Sequence, residues 1–207
     1  MSDLHAAGGI GAVLRELKPL LNLECMTVAG ETIGERLSRE IPWVDRSIVR
    51  PLAEPYQSEG GLVGLFGSLA PGGAILKRSA ADPTLFEKEG RAVVFTSLED
   101  LAARIDSPDL DVTPDDFMIM QNAGPKSGTG MPEAGYLPIP LKLARAGVKD
   151  MVRMSDARMS GTAYGTIVLH ITPESAVGGP LAMVRNGDRI RLSVKNRRVD
   201  LLIDDNE

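Results

Sequence analysis

Cysteine is almost absent from this 207-residue chain: Cys25 is the only one, so no disulfide can form within it, and a reducing compartment is the simpler setting. Histidine is nearly as scarce, with His5 near the N-terminus and His170 inside a strand-like pattern. That scarcity excludes a zinc site of His and Cys ligands and leaves the serines of the chain without a nearby imidazole for a Ser-His-Asp triad. No apolar run approaches the roughly 18 residues that a membrane span needs. The start, MSDLHAAGGIGAVL, has neither the basic opening nor the continuous apolar core of a signal peptide, so a cytoplasmic location is expected. Clusters of Lys and Arg are also missing, and the formal net charge of -5 argues against a nucleic-acid or anionic-membrane partner.

What remains is the composition of an ordinary globular protein, with 43% hydrophobic and 25% charged residues, long enough for one large domain plus an appendage. Ile10, Val13, Leu14, Leu17 and Leu21 fall at helical spacing and predict an amphipathic helix over 9–18, ended or kinked at Pro19. An extended piece is expected over 23–28 and a short helix over 31–39. Pro42, Pro51 and Pro55 then mark a linker, and a boundary is placed near residue 60. Beyond it the pattern turns to short strands: 72–77, 92–95, 117–121, 148–154, 166–171, 181–185, 189–194 and 199–203. Helices are expected over 96–104, with a capping box from Thr96 to Glu99, and over 138–146, stopped by Gly147. Thr172 and Pro173 read as the N-cap and first position of a short turn or helix, and Asn186-Gly187 as a hairpin turn. Met118, Met120, Met151 and Met154 are expected in the core, His170 as a sheet residue with a satisfied ring, and Cys25 as a buried small hydrophobe. The fold class is α+β, with a barrel-like sheet.

Residues 122–166 carry the chemistry. Two clusters of small and polar residues, Asn122–Glu133 and Ser155–Gly165, are separated by one helix-plus-strand unit, which brings both loops to one end of a sheet, where ligands usually sit. In the first loop Gly124, Gly128 and Gly130 allow unusual backbone angles, Lys126 is the one cation and Glu133 the one anion; the Lys spacing is not that of a P-loop. The second loop supplies Ser155, Asp156, Arg158, Ser160 and Thr162.

The segments GPKSGTGMPE and SDARMSGTAYGT, with GSLAPGGAILK upstream and LHITPESAVGGPLAMVRNGDRI downstream, closely resemble the C-terminal part of the dihydroxy-acid and sugar-acid dehydratase family. The form DARMSGTA is more similar to its pentonate (arabinonate and xylonate) branch than to its branched-chain amino-acid branch. The resemblance implies a hydro-lyase that converts a 2,3-dihydroxy acid to a 2-keto-3-deoxy acid with an iron–sulfur cluster and magnesium. It implies a swivelling β/β/α barrel-like domain over 60–207, preceded over 1–59 by remnant helices and linker of an α/β N-terminal domain. Glu133, in GMPE, matches the carboxylate that completes the magnesium shell, and Ser160, in ARMSG, matches a serine proposed to act as an alkoxide base. Thr162 and Lys126 are candidates for holding the substrate's hydroxyls and charge, with a role in holding the loops as the alternative.

One part of that pattern is missing. A cluster needs three cysteine ligands, which in the family lie, with the other magnesium ligands, in a large N-terminal domain. The expectation is therefore half an active site: an incomplete chain, inactive unless a partner supplies the cysteine-bearing half, and prone to self-association through helix 9–18. A sugar-acid-binding module without turnover and a structural domain without ligand are the competing readings.

Overall fold

The computed structural model describes residues 1–39 and 43–203, so Pro42 of the expected linker lies outside the described residues. The chain divides into two compact units, Met1–Glu59 and Gly60–Glu207.

Among the described residues the first unit holds three short helices: α1 (Ser2–Ala6), α2 (Gly9–Glu16) and α3 (Ile33–Ser38). Pro19 does end α2, and the chain tightens into a single 3-10 turn at Lys18–Leu20. α3 begins on a capping box, with Thr32 accepting from the Glu35 amide at 3.1 Å and Glu35 accepting from the Thr32 amide at 2.7 Å. A small core of Ala7, Ala12 and Val49, edged by Leu4, Val13 and Val44, covers only part of the α2 stripe and leaves Ile10 61% exposed. The extended piece expected over 23–28 reduces to one bridge between Met26 and Thr32. Cys25 is exposed, not buried: it lies on this irregular segment, outside the packed core.

The second unit is an eight-stranded mixed sheet in the order β1 (Val63–Leu65), β2 (Gly73–Leu76), β6 (Ile167–Thr172), β5 (Arg153–Ser155), β4 (Phe117–Met120), β3 (Glu87–Phe95), β7 (Arg189–Ser193), β8 (Arg198–Leu202). The central pairs β3–β4, β4–β5 and β5–β6 are parallel and the outer pairs antiparallel. The two edges meet. Phe66 donates to the Arg197 carbonyl and accepts from the Val199 amide, both at 2.9 Å, so the sheet curls into a nearly closed barrel without long exposed edges. This is the α+β, barrel-like architecture expected from the strand-rich pattern.

Two apolar layers hold it. On β3 and β4, Ala92, Val94, Phe117 and Ile119 face the barrel interior with Leu65, Leu76, Val168, Ile190 and Leu192. The alternate residues Val93, Phe95, Met118 and Met120 face outward into a second core closed by α4 (Leu98–Arg104) and α5 (Leu141–Arg145). Strands buried on both faces read as continuous apolar runs, which is why FMIM carries no alternation. Each fully buried aliphatic or aromatic side chain here contributes about 1.5–3 kcal/mol.

Four local expectations are corrected. The cap of α4 sits one residue later than Thr96: Ser97 accepts from the Asp100 amide at 3.2 Å, and Asp100 accepts from the Thr96 amide at 2.9 Å. Residues 181–185 do not form a strand, because Pro180 opens a 3-10 turn over Pro180–Met183 instead. The Thr172-Pro173 bond is cis and Thr172 ends β6; Glu174 takes the N-cap place of the next 3-10 turn, Ser175–Val177. His170 is a sheet residue, on β6, as expected, but it has φ +53 and an exposed side chain with no hydrogen bond to its ring among the described residues, so the ring is not satisfied.

Candidate active site

β4 and β5 are adjacent and parallel, so the loops that leave Met120 and Ser155 emerge from the same end of the sheet. Asp156 stitches the two loops together, and Glu174, just beyond β6, holds the first of them. Asp156, 1% exposed, accepts from the Ala123 amide at 3.0 Å and from the Ser175 amide at 2.8 Å. Glu174, 8% exposed, accepts from the Lys126 amide with both carboxylate oxygens at 2.9 Å. The Gly135 amide adds a bond to the Arg158 carbonyl at 2.8 Å. The Ala123 and Lys126 amides of the first loop are thus occupied by the chain's own carboxylates. Gly124 is small because Glu174 lies against it: a Cβ there would stand 2.1 Å from Glu174 Oε2.

The second loop is anchored by an ion pair with a buried arginine. Arg153, 1% exposed, bonds Asp150 at 2.8 Å and donates to the Tyr136 and Leu137 carbonyls of the first loop, both at 2.9 Å. Asp150 in turn accepts from the Thr166 amide and hydroxyl, at 2.8 and 2.7 Å. Gly165 must be glycine at this crossing, because its φ is +119 and a Cβ would fall 1.8 Å from Arg153 Nη2. Tyr136 and Tyr164, one from each loop, meet edge to face with centroids 6.2 Å apart.

Within this frame the four residues singled out from the sequence fall as follows. Ser160 and Thr162 face one another, hydroxyl to hydroxyl, at 3.0 Å, at the half-buried to exposed tip of the second loop. Glu133 is exposed and bonds the Arg158 guanidinium at 2.5 Å, while Arg158 also donates to the Met131 carbonyl at 3.1 Å. Arg158 therefore links the loop of Glu133 to the loop of Ser160. Lys126 projects outward, and its ammonium has no hydrogen-bond partner among the described residues. Beside the loops a mostly apolar cavity of about 250 Å³ is walled by Pro125, Met131, Ile171 and Val177, with His170, Asp156 and Glu174 on its lining.

The sequence pattern missed Lys77, which donates to the carbonyls of Gly161 and Ala163. It also missed the structural parts of Asp150, Arg153 and Glu174. Lys77 lies directly after the GAIL strand in GGAILK, and that position beside a loop-forming segment was the available signal. Metal chemistry is not assembled from these side chains. Among the described residues no group of three His, Cys, Asp or Glu could hold a metal ion, Glu133 is engaged by Arg158, and the lone cysteine is an exposed residue of the first unit.

Comparison with known proteins gives the fold and the loops a lineage. Residues 47–207 match the family described as dihydroxy-acid/6-phosphogluconate dehydratase C-terminal. Over the whole chain, an L-arabinonate dehydratase of Rhizobium leguminosarum is 48% identical and an L-arabonate dehydratase of Azospirillum brasilense 49% identical. A dihydroxy-acid dehydratase of Syntrophobacter fumaroxidans is 38% identical over 99% of the chain. In each case the chain spans 36% of the relative's length. On that identity and coverage, the chain belongs to the dihydroxy-acid/6-phosphogluconate dehydratase family.

Proposed function

We propose that residues 60–207 are the C-terminal, swivelling domain of a cytoplasmic hydro-lyase that acts on a sugar acid, and that residues 1–59 are helices and linker of a preceding domain. The observation that carries this reading is the Glu133–Arg158 ion pair, which ties the loop of Glu133 to the loop that bears the Ser160–Thr162 hydroxyl pair, at the end of the parallel strands. The similarity to arabinonate dehydratases favours an aldonate over a branched alkyl dihydroxy acid. In the proposed reaction Ser160, as its alkoxide, takes the proton from C2 of a 2,3-dihydroxy acid, and the C3 hydroxyl departs as water with a proton from the solvent. Ser160 returns its proton to the solvent, and the enol tautomerises to the 2-keto-3-deoxy acid. Thr162 holds Ser160 and a substrate hydroxyl, and Lys126 offers a cation to the substrate carboxylate.

Magnesium and an iron–sulfur cluster are the cofactors proposed for the complete enzyme. The residues present do not build either centre: the one matching carboxylate, Glu133, is paired with Arg158 and would have to exchange that partner for a magnesium ion, and one cysteine cannot ligate a cluster. The remaining ligands are proposed to come from a cysteine-bearing dehydratase segment outside this sequence. The test combines the chain with the N-terminal segment of the Rhizobium L-arabinonate dehydratase, anaerobically with iron, sulfide and magnesium, and measures 2-keto-3-deoxy acid from a panel of aldonates. Turnover by the combination and none by the chain alone supports the proposal. Aldonate binding by the chain alone, with no turnover in any combination, would replace it with the binding-module reading.

A further inference from the structure

The loop that carries Ser160 is a tight turn whose peptide orientation is set from outside. The Ala163 amide donates to the Ser160 carbonyl at 3.1 Å, closing a four-residue turn over 160–163. Lys77, which leaves the end of β2 beside β6, extends its ammonium to the carbonyls of Gly161 and Ala163 on one side of that turn. A trans peptide is planar, with its C=O and N–H directed oppositely. Holding the Gly161 carbonyl toward Lys77 therefore aims the N–H of the same peptide unit, that of Thr162, away from Lys77. It points at Ser160 Oγ, at 3.4 Å. The Thr162 hydroxyl reaches the same oxygen at 3.0 Å.

We infer that Lys77 is a positioning residue that locks the Gly161–Thr162 peptide so that its N–H, together with the Thr162 hydroxyl, forms a two-donor cradle for the Ser160 oxygen. Left to itself this peptide is free to turn over. Gly161 has no Cβ, an added Cβ there would meet no atom within 4 Å, and glycine restricts its flanking peptides least of all residues. Flipped, the peptide would present a carbonyl to Ser160 Oγ and repel any negative charge there. The lysine removes that alternative without touching the serine. Donors fixed where an oxyanion develops act without reorganisation at the moment of reaction, which is what a serine needs to serve as a base. The catalytic consequence rests on the dehydratase reading above; the peptide lock does not.

The experiment has two independent arms. In the first, amide hydrogen exchange of the full chain is followed across 158–166 for the unsubstituted protein, Lys77→Met and Lys77→Arg. Lys77→Met is expected to speed exchange of the Thr162 and Ala163 amides at least about fivefold, as local opening becomes cheaper, with Lys77→Arg restoring much of the protection. Unchanged exchange in Lys77→Met would overturn the assignment. Should Lys77→Met fail to fold, the unsubstituted chain decides: after correction for intrinsic rates the Thr162 amide must exchange more slowly than that of Gly161, and equal rates would overturn the lock. In the second arm, the assembled enzyme carrying Lys77→Met is expected to lose about 10²-fold in kcat, the usual cost of one oxyanion donor. KM is expected to move by less than about threefold, the signature of a lost transition-state contact. The rise of kcat/KM with pH is expected at higher pH. No turnover by the unsubstituted assembly would count against the dehydratase reading alone, because the exchange arm judges the peptide lock by itself.

Discussion

Replacing Arg153 with methionine removes a buried side chain that ties the strand entering the second loop to the first loop. Methionine keeps most of the apolar stem volume, so the loss is polar. Gone are the bond to Asp150 at 2.8 Å, those to the Tyr136 and Leu137 carbonyls at 2.9 Å, and a weaker one to the Met151 carbonyl at 3.2 Å. The guanidinium also sits 5.2 Å from the centre of the Tyr136 ring. Asp150 keeps its bonds from Thr166 and Met151, which softens the penalty on its charge. The Arg153 side chain is 1% and that of Asp150 12% exposed, so the arginine is buried and its partner half-buried. Removing one partner of such a pair costs about 3–5 kcal/mol. For a chain of this size that corresponds to a fall in Tm of roughly 10 °C. Urea unfolding at pH 7 followed by circular dichroism measures it, with an unchanged m value showing that the denatured state is not the cause. A loss below about 1 kcal/mol would refute the claim that this ion pair anchors the two loops.

Other substitutions probe separate parts of the account. Gly165→Ala should destabilise the chain and loosen both loops, because the new Cβ meets Arg153 Nη2 in a backbone conformation at φ +119; exchange of the Tyr164–Thr166 amides reads this directly. Ser97→Ala should cost about 1 kcal/mol by removing the α4 cap, measured by the same urea unfolding. Asp100 is held down to about 2, from 3.8, by the Arg104 guanidinium and then by the Thr96 amide, against the opposing effect of burial. A depressed carboxylate contributes stability that is present above its unfolded value and lost as pH falls through its folded one. Stability should therefore decline between about pH 4 and about pH 2, and Asp100→Asn should flatten that decline in thermal melts taken across the window. Ser160→Ala should leave Tm within about 1 °C, because its hydroxyl bonds only within its own exposed turn.

The parts legible in the sequence are those governed by local pattern. The buried strand FMIM is written within a few residues and the structure holds it. Of the helix stripe expected at Leu98, Leu101, Ala102 and Ile105 all but the exposed Ala102 pack into the core, and Asn186-Gly187 forms a turn but not the expected hairpin, since no strand precedes it. The methionines at 118, 120, 151 and 154 are fully buried, as their apolar neighbours imply. Strand 148–154 shrinks to Arg153–Ser155, because Asp150 turns aside to bind Thr166 and Met151. Residues 181–185 read as a strand from β-branched and apolar content, yet Pro180 and the packing of Leu181 into the barrel favour a tight turn. His170 was misread for a related reason. A register shift in the β2–β6 pairing accompanies its left-handed φ, and no periodicity shows such an irregularity.

In the candidate site, alternation of strands and small-residue loops was enough to bring Asn122–Glu133 and Ser155–Gly165 to one sheet end. The holding interactions were not legible. Lys77 and Gly161 are 84 residues apart in sequence, Glu174 and Lys126 are 48 apart, and such pairings exist only once the barrel is closed. The same holds for Arg153: nothing in VRMS marks its arginine as one of the two most deeply buried charges among the described residues of the unit, with Asp156, since charged residues are rarely buried unless paired across the fold.

The central claim is that Ser160 removes the C2 proton in an enzyme completed by a cysteine-bearing segment. The most direct measurement runs the assembled enzyme on an aldonate deuterated at C2, with unsubstituted and Ser160→Ala chains side by side. The account predicts 2-keto-3-deoxy acid formation with a primary isotope effect for the unsubstituted chain, and loss of turnover in Ser160→Ala with assembly and aldonate binding retained. Turnover by Ser160→Ala at an undiminished rate would contradict it.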